Sequence, residues 1–343
     1  MVTSYLKTYF KVLILILLTV GLINLAIDPL WYGQGNRLTG INPPWNERIS
    51  KTNLLLQQPP STWNCLIFGT SRTTLLDVND FKTDRCFNYS FSGAKAEELV
   101  TYATYAKQKG IQPRTVYVEI EPDELSQKRK PKDFPAITDP IPRYKAYFFS
   151  FDSLWLSIKT LIRGYDFARL YDRMFQVHVS ENAPKYEPKL LKDDERKQCD
   201  LSRIRFYESL KTIFPDARFV GFVAPVSGWY IFNKSYSSGL MKCQLAGIHR
   251  LSSVFDVVYD FAIPSALTTR TDNTYDGNHY YPEVFDQLAL VLQQPSQWQL
   301  SHPDNKTVGI VVNQYNVTDY QQLYAARLRN FLVQIGEAEY WQG

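Results

Sequence analysis

Cys65-Leu66-Ile67-Phe68-Gly69-Thr70-Ser71-Arg72 is the stretch on which the fold turns. Four uninterrupted apolar residues suit a strand buried on both faces, because a strand with one wet face alternates instead. Gly69 ends the run, and a serine follows where such a strand would turn. The same grammar repeats outward. Residues 86–91 form a second strand candidate, closed by Ser92-Gly93. Residues 94–109 then place Leu99, Val100, Ala103 and Ala106 at helical spacing, with Gly110 as the stop. Residues 115–120 read as a third strand. Asp200 is placed to cap a helix carrying Leu201, Ile204, Tyr207 and Leu210 on one face, and residues 217–223 read as a fourth strand. A helix near 239–249 precedes a fifth strand at 254–261, and Pro282 opens a last core helix through Phe285, Leu288 and Leu292. Strand and helix alternating in this way predict an α/β domain with an open, mainly parallel five-stranded sheet covered on both faces.

The flanks read differently. Residues 12–27 carry neither charge nor proline, and aromatics stand at both ends: Tyr9 and Phe10 before, Trp31 and Tyr32 after. This pattern predicts a membrane-spanning helix with interfacial aromatics. Lys7 and Lys11 precede it, so the positive-inside rule puts the N-terminus in the cytoplasm and the rest outside, in a single-pass arrangement. A cleaved signal peptide would show a shorter apolar core and small residues at a cleavage site, which isolated Ala26 does not supply. The expected organisation is an anchor (1–32), a linker (33–60) with a short helix near 49–56, and a main domain (61–300). Residues 124–199 interrupt that domain as an insertion or lid around an apolar helix at 154–162. An extension (301–343) follows, with a strand-like run at 308–312 and an amphipathic helix at 320–333.

A net charge of +4 is too mild to imply nucleic acid. The one dense basic run, Lys128-Arg129-Lys130-Pro131-Lys132, reads as a solvated loop. No C-x-x-C or Cys/His cluster suggests a metal. The four cysteines suit an oxidising compartment; Cys199 and Cys243 are candidates to pair, while Cys65 and Cys86 read equally well as buried thiols. His178, His249 and His302 read as surface residues.

Ligands of open parallel sheets bind beyond the carboxyl ends of the strands. Gly69-Thr70-Ser71-Arg72, Ser92-Gly93-Ala94 and Asp276-Gly277-Asn278-His279 all fall there. A serine hydroxyl needs an adjacent base, and the base needs an orienting group. His279 suits the first role and Asp276 the second, with the amides of Ser71 and Gly93 as oxyanion donors. Each signal alone has an ordinary alternative: Ser71 as a helix cap, Asp276-Gly277 as a turn, Gly93 as a tight bend. Their shared placement is what makes a site.

Gly69-Thr70-Ser71, the run Asn88 to Ala94, and Asp276-x-x-His279 before the final helix resemble three sequence blocks of the SGNH/GDSL hydrolases, over about residues 62–295. The resemblance implies a flavodoxin-like three-layer α/β/α sandwich and acyl-ester transfer or hydrolysis through a Ser-His-Asp triad, with no metal or organic cofactor. An N-terminal anchor before such a domain is similar to bacterial envelope proteins of alginate O-acetylation and of D-alanyl transfer to teichoic acid. That similarity implies a polysaccharide or other acyl-bearing envelope substrate and a membrane partner delivering the acyl group. Two departures stand out. Thr70 replaces the Asp of the first block. The third block, Gly-x-Asn-Asp, is absent, and Glu119-Ile120-Glu121-Pro122-Asp123-Glu124 stands in its place. Loss of one oxyanion donor costs on the order of 10²–10³ in turnover, and Arg72 and Asn278 are the candidates to support the oxyanion or the substrate instead. The acidic run reads as exposed carboxylates or as a site for a cationic or hydroxyl-bearing ligand. Trp229, Tyr230, Tyr280 and Tyr281 are candidate sugar-stacking aromatics. The alternative from another class is a non-catalytic, membrane-anchored glycan-binding or assembly protein with a degenerate site.

Overall fold

A computed structural model of the chain describes residues 2–126, 134, 137–192, 195–293 and 308–341. The basic run at 128–132 and His302 lie outside these residues. The helices, in chain order, are α1 (Val2–Ile27), α2 (Glu47–Leu55), α3 (Ala96–Gln108), α4 (Pro122–Ser126), α5 (Arg143–Phe148), α6 (Phe151–Leu161), α7 (Ile204–Ile213), α8 (Gly228–Ile231), α9 (Met241–Leu251), α10 (Pro282–Gln293) and α11 (Val317–Gln334). The strands are β1 (Ile41–Asn42), β2 (Cys65–Phe68), β3 (Cys86–Asn88), β4 (Thr115–Glu119), β5 (Arg169–Asp172), β6 (Val177–Val179), β7 (Arg218–Val223), β8 (Val257–Asp260) and β9 (Ile310–Val311). The chain divides into two compact units, Met1–Pro59 with Thr138–Ala183, and Pro60–Ile137 with Pro184–Gly343.

The second unit carries a six-stranded sheet of order β3-β2-β4-β7-β8-β9. Its first five strands are parallel, as the continuous apolar runs predict; β2 is buried at every position. The sixth strand corrects the expected count of five. β9 lies antiparallel against β8, pairing Tyr259 with Val311 and Asp260 with Ile310. It falls in the strand-like run read at 308–312, which sequence placed in the C-terminal extension and not in the sheet. Helices α3, α7 and α9 lie in the crossovers from β3 to β4, β4 to β7 and β7 to β8, and α7 packs against both of the others, as crossovers of one hand require. α10 packs with the Val78–Asp80 turn, which lies in the connection from β2 to β3. The chain leaves β2 toward one edge and returns from β3 across to β4. The crevice of this sheet therefore opens between the carboxyl ends of β2 and β4.

Asp200 does not cap a helix: its carboxylate accepts from Ser202 N (2.8 Å) in a turn, and α7 begins only at Ile204. Cys199 and Cys243 are bonded, and so are Cys65 and Cys86, which are not free thiols. The second pair is natural once the register is known, because the two residues are direct partners across β2 and β3.

In the first unit α1 is long and apolar enough to cross a membrane. It stops at Asp28, whose carboxylate accepts from the amides of Tyr32, Gly33 and Gly35. A small antiparallel sheet, β1-β5-β6, follows, packed around Trp31, Tyr171 and Phe175. The Tyr171 hydroxyl donates to Glu47 at 2.5 Å. Residues 33–59 and 138–183 thus fold together with the apolar helix, including α2 and the hairpin of α5 and α6. Sequence separation hides that association.

Candidate active site

The turn after β2 is built around Glu119, the last residue of β4 and fully buried. Its carboxylate accepts from Thr70 N (2.6 Å), Thr70 Oγ1 (2.9 Å), Thr73 Oγ1 (2.5 Å) and Arg72 Nε (2.8 Å). A buried charge needs such a full set of donors. Gly69 is required beside it, since a Cβ there would lie 2.7 Å from Glu119 Oε2 and 2.3 Å from Thr73 Oγ1. Three of the four donors come from residues immediately flanking Ser71, so the clamp fixes the backbone that carries the serine. Thr74 Oγ1 donates to Ser71 O (2.7 Å) and tightens the same turn. On the neighbouring strand, Phe91 N donates to Gly69 O (3.2 Å), and Asn88 Nδ2 donates to Thr73 O (2.8 Å). Gly93 follows with φ +65°, a left-handed bend suited to glycine, at the adjacent strand end.

The loop before α10 delivers the other two residues. Ser71 Oγ lies 2.8 Å from His279 Nε2, and His279 Nδ1 lies 2.7 Å from Asp276 Oδ2. Asp276 Oδ1 accepts from His279 N (2.6 Å) and Asn278 N (2.9 Å). Its carboxylate is therefore fixed at both oxygens. Burial opposes its charge, yet the His279 hydrogen bond and charge, with the two amides, hold its pKa below the ordinary carboxylate value. A carboxylate on Nδ1 keeps the proton on that nitrogen and leaves Nε2 as the acceptor facing Ser71.

The loop itself is stapled. Thr274 pairs with Tyr280 in an antiparallel bridge, Thr274 Oγ1 donates to His279 O (2.6 Å), and the Tyr275 ring lies parallel to the imidazole with centroids 5.6 Å apart. Gly277 has φ +79°, and a Cβ there would meet the Tyr186 ring at 2.5 Å. Ser227 N donates to Gly277 O (2.8 Å), and the Tyr186 and Ser227 hydroxyls are 2.7 Å apart. Sequence reading did not find Glu119, Tyr275, Tyr186 or Ser227. Only Glu119 left a signal: a charged residue ending an otherwise apolar buried strand.

The acidic run after β4 is neither exposed nor free for a cationic ligand. Glu119 holds the serine turn, Glu121 is ion-paired with Arg72, and Glu124 accepts from Lys95 (2.8 Å) and Arg203 (2.9 Å). Arg203 also pairs with Glu97. Arg72 is buried and spans these carboxylates, with Nη1 3.4 Å from Asn278 Oδ1. Asn278 Nδ2 in turn lies 3.5 Å from His279 Nε2. Both residues expected near the oxyanion thus border the Ser71–His279 contact. The proposed aromatic platform is not upheld at Tyr280, which is fully buried, and Trp229 packs against Phe331 and Tyr186. His178 is exposed, whereas His249 is half-buried and hydrogen-bonded to Tyr315 O at 2.9 Å. No group of His, Cys, Asp and Glu able to hold a metal occurs among the described residues.

No protein-family model matches the chain, and no curated protein matches it. Among solved structures it is similar to a candidate acylhydrolase from Bacteroides fragilis, at 10% identity over 69% of this chain and 87% of that one, with a TM-score of 0.35. Likeness at that level says nothing about activity here.

Proposed function

We propose that the chain is a serine-dependent esterase or O-acyltransferase of SGNH type, built on a flavodoxin-like sandwich and held at a membrane by α1. The observation that carries this reading is the continuous relay Asp276–His279–Ser71, with contacts of 2.7 and 2.8 Å. Ser71 Oγ attacks the ester carbonyl while its proton passes to His279 Nε2. Asp276 stays ionised and stabilises the imidazolium. The amides of Ser71 and Gly93 receive the oxyanion, and Asn278, held by Arg72, supplies the side-chain donor that the missing third block would have provided. Collapse of the tetrahedral adduct returns the proton to the leaving alkoxide and leaves an acyl-serine. Water or a sugar hydroxyl, deprotonated by His279, then takes the acyl group.

The sheet order 2-1-3-4-5 of β2, β3, β4, β7 and β8 is that of flavodoxin-like folds and supports the architecture. Lys7 and Lys11, in the first half of α1 and ahead of its uncharged run 12–27, support a cytoplasmic N-terminus and an extracytoplasmic site. An envelope or exported polysaccharide is the substrate class this address favours, with a membrane protein as acyl donor. The test is hydrolysis of a short-chain aryl ester by the full chain in detergent, against Ser71→Ala and His279→Ala. Both variants should lose on the order of 10⁴–10⁶ in turnover while keeping the wild-type melting temperature. Undiminished turnover in both would exclude this site as the catalyst, and no turnover by the folded wild-type chain would leave the non-catalytic glycan-binding reading in place.

A further inference from the structure

The polarity of α6 is inverted for a helix in water. Its buried face is Ser153, Ser157 and Thr160, at positions i, i+4 and i+7. Its outward side carries Phe151 (76% exposed) and Trp155 (49%), and Ile162 (70%) continues that line just past the helix end. A surface helix ordinarily turns its large apolar residues inward. Small residues inside and large apolar ones outside is the rule where the surroundings are hydrocarbon.

The small face is turned toward α1. Asn24 of α1 is completely buried, and its Nδ2 donates to Tyr147 O (2.7 Å) while its Oδ1 accepts from Ser157 Oγ (2.9 Å). Gly21 is closed over by the Phe148 ring, which a Cβ would meet at 2.2 Å. The α5–α6 hairpin is therefore locked to the last two turns of the apolar helix. Tyr144 and Phe149 are exposed beside Phe151 on the hairpin, and Leu15, Leu18 and Leu22 are exposed on α1.

We infer that the α5–α6 hairpin is itself embedded in the bilayer beside α1, with lipid acyl chains as the occupant of its exposed apolar face. This rests on the reading of α1 as a membrane anchor. Gly21 is six residues before the end of α1, about 9 Å along the axis, within the depth at which interfacial helices sit. The 11 residues of α6 span about 16 Å, too short to cross, so the hairpin occupies only the leaflet from which α1 emerges. Lys159 lies over the rings of Trp45 (5.7 Å) and Trp155 (5.2 Å), and Arg143, Lys145 and Arg163 are exposed around the hairpin, placed to reach head groups.

The test uses the full chain in phosphatidylcholine/phosphatidylglycerol nanodiscs, with one nitroxide on Leu15→Cys, Phe151→Cys, Ile162→Cys or Lys82→Cys. All four native cysteines are in disulfides, so the added thiol is the one labelled. Oxygen should relax the label more than a water-soluble nickel chelate does at 15, 151 and 162, and less at 82. Lipid contact at 15 with nickel access at 151 and 162 would overturn the hairpin inference and leave the anchor standing. Nickel access at 15 would remove the anchor, and the inference with it. Labels at 151 and 162 reached by neither reagent would mean a protein partner or a second copy covers the face, which also overturns it.

Discussion

Replacing Glu119 by Ala should disable the site without touching the triad. The substitution removes the acceptor of four hydrogen bonds, from Thr70 N, Thr70 Oγ1, Thr73 Oγ1 and Arg72 Nε. Breaking a buried ion pair by deleting one partner costs about 3–5 kcal/mol. Glu121 remains on Arg72, so the guanidinium keeps a counter-charge and the lower end, about 3 kcal/mol, is expected. For a unit of this size that corresponds to a fall in Tm of about 6–12 °C. The larger effect is positional. With the clamp gone, the 70–73 turn is free to shift, and a displacement of about 1 Å at a reacting atom costs on the order of 10²-fold in turnover. Glu119→Gln keeps the shape and loses the charge, so it should fall between Ala and wild type in both measures. The assay pairs thermal unfolding with aryl-ester turnover, both below the variant's Tm. A Glu119→Ala protein with wild-type stability and wild-type turnover would refute the clamp as the device that aims Ser71.

Three further outcomes follow from the same geometry. Asp260 is fully buried and accepts from Tyr320 Oη (2.5 Å) and the amides of Ala262 and Ile263; burial pushes its pKa up to about 6. Its raised folded-state value means its contribution is fullest below pH 4 and declines as pH rises through 6, by on the order of 3 kcal/mol. Asp260→Asn should flatten that dependence in urea titrations run from pH 4 to 8. Asp276 has the opposite sign: its pKa is depressed, so its contribution is present above about pH 4 and is lost as pH falls below that. Asp276→Asn should lose this acid-side step and cut kcat by roughly 10⁴-fold while leaving the fold intact at pH 7. Reduction of Cys65–Cys86 and Cys199–Cys243, which close loops of 21 and 44 residues, should remove about 3 and 4 kcal/mol respectively, read as a fall in urea midpoint with dithiothreitol.

The parallel sheet was legible because its strands are buried on both faces, and an unbroken apolar run as short as Cys65–Phe68, ended by a glycine, suits a central strand better than a helix. The Asp276–His279 pair was legible because one short loop carries both residues. The rest depended on distances that sequence does not encode. Glu119 looks like a charge at a strand end until Thr70, Thr73 and Arg72 are seen to converge on it. The pairing of Cys65 with Cys86 needs the register of two adjacent strands. The strand-like run at 308–312 was visible, but its antiparallel pairing with β8 as a sixth sheet strand is a register that two residues do not encode. The union of 33–59 with 138–183 rests on contacts such as Trp45 to Thr160 and Tyr171 to Glu47, each more than a hundred residues apart in the chain. Residues 154–162 read as an apolar helix, and only the packing of α6 against α1 shows that Ser153, Ser157 and Thr160 look inward.

The central claim is that His279 activates Ser71, 2.8 Å from its ring nitrogen. A fluorophosphonate reacted with the full chain, followed by peptide mass mapping, addresses it directly. One adduct on Ser71 is expected, absent in Ser71→Ala and slowed by orders of magnitude in His279→Ala. An unlabelled Ser71 in a folded protein, or labelling at the same rate without His279, would contradict it.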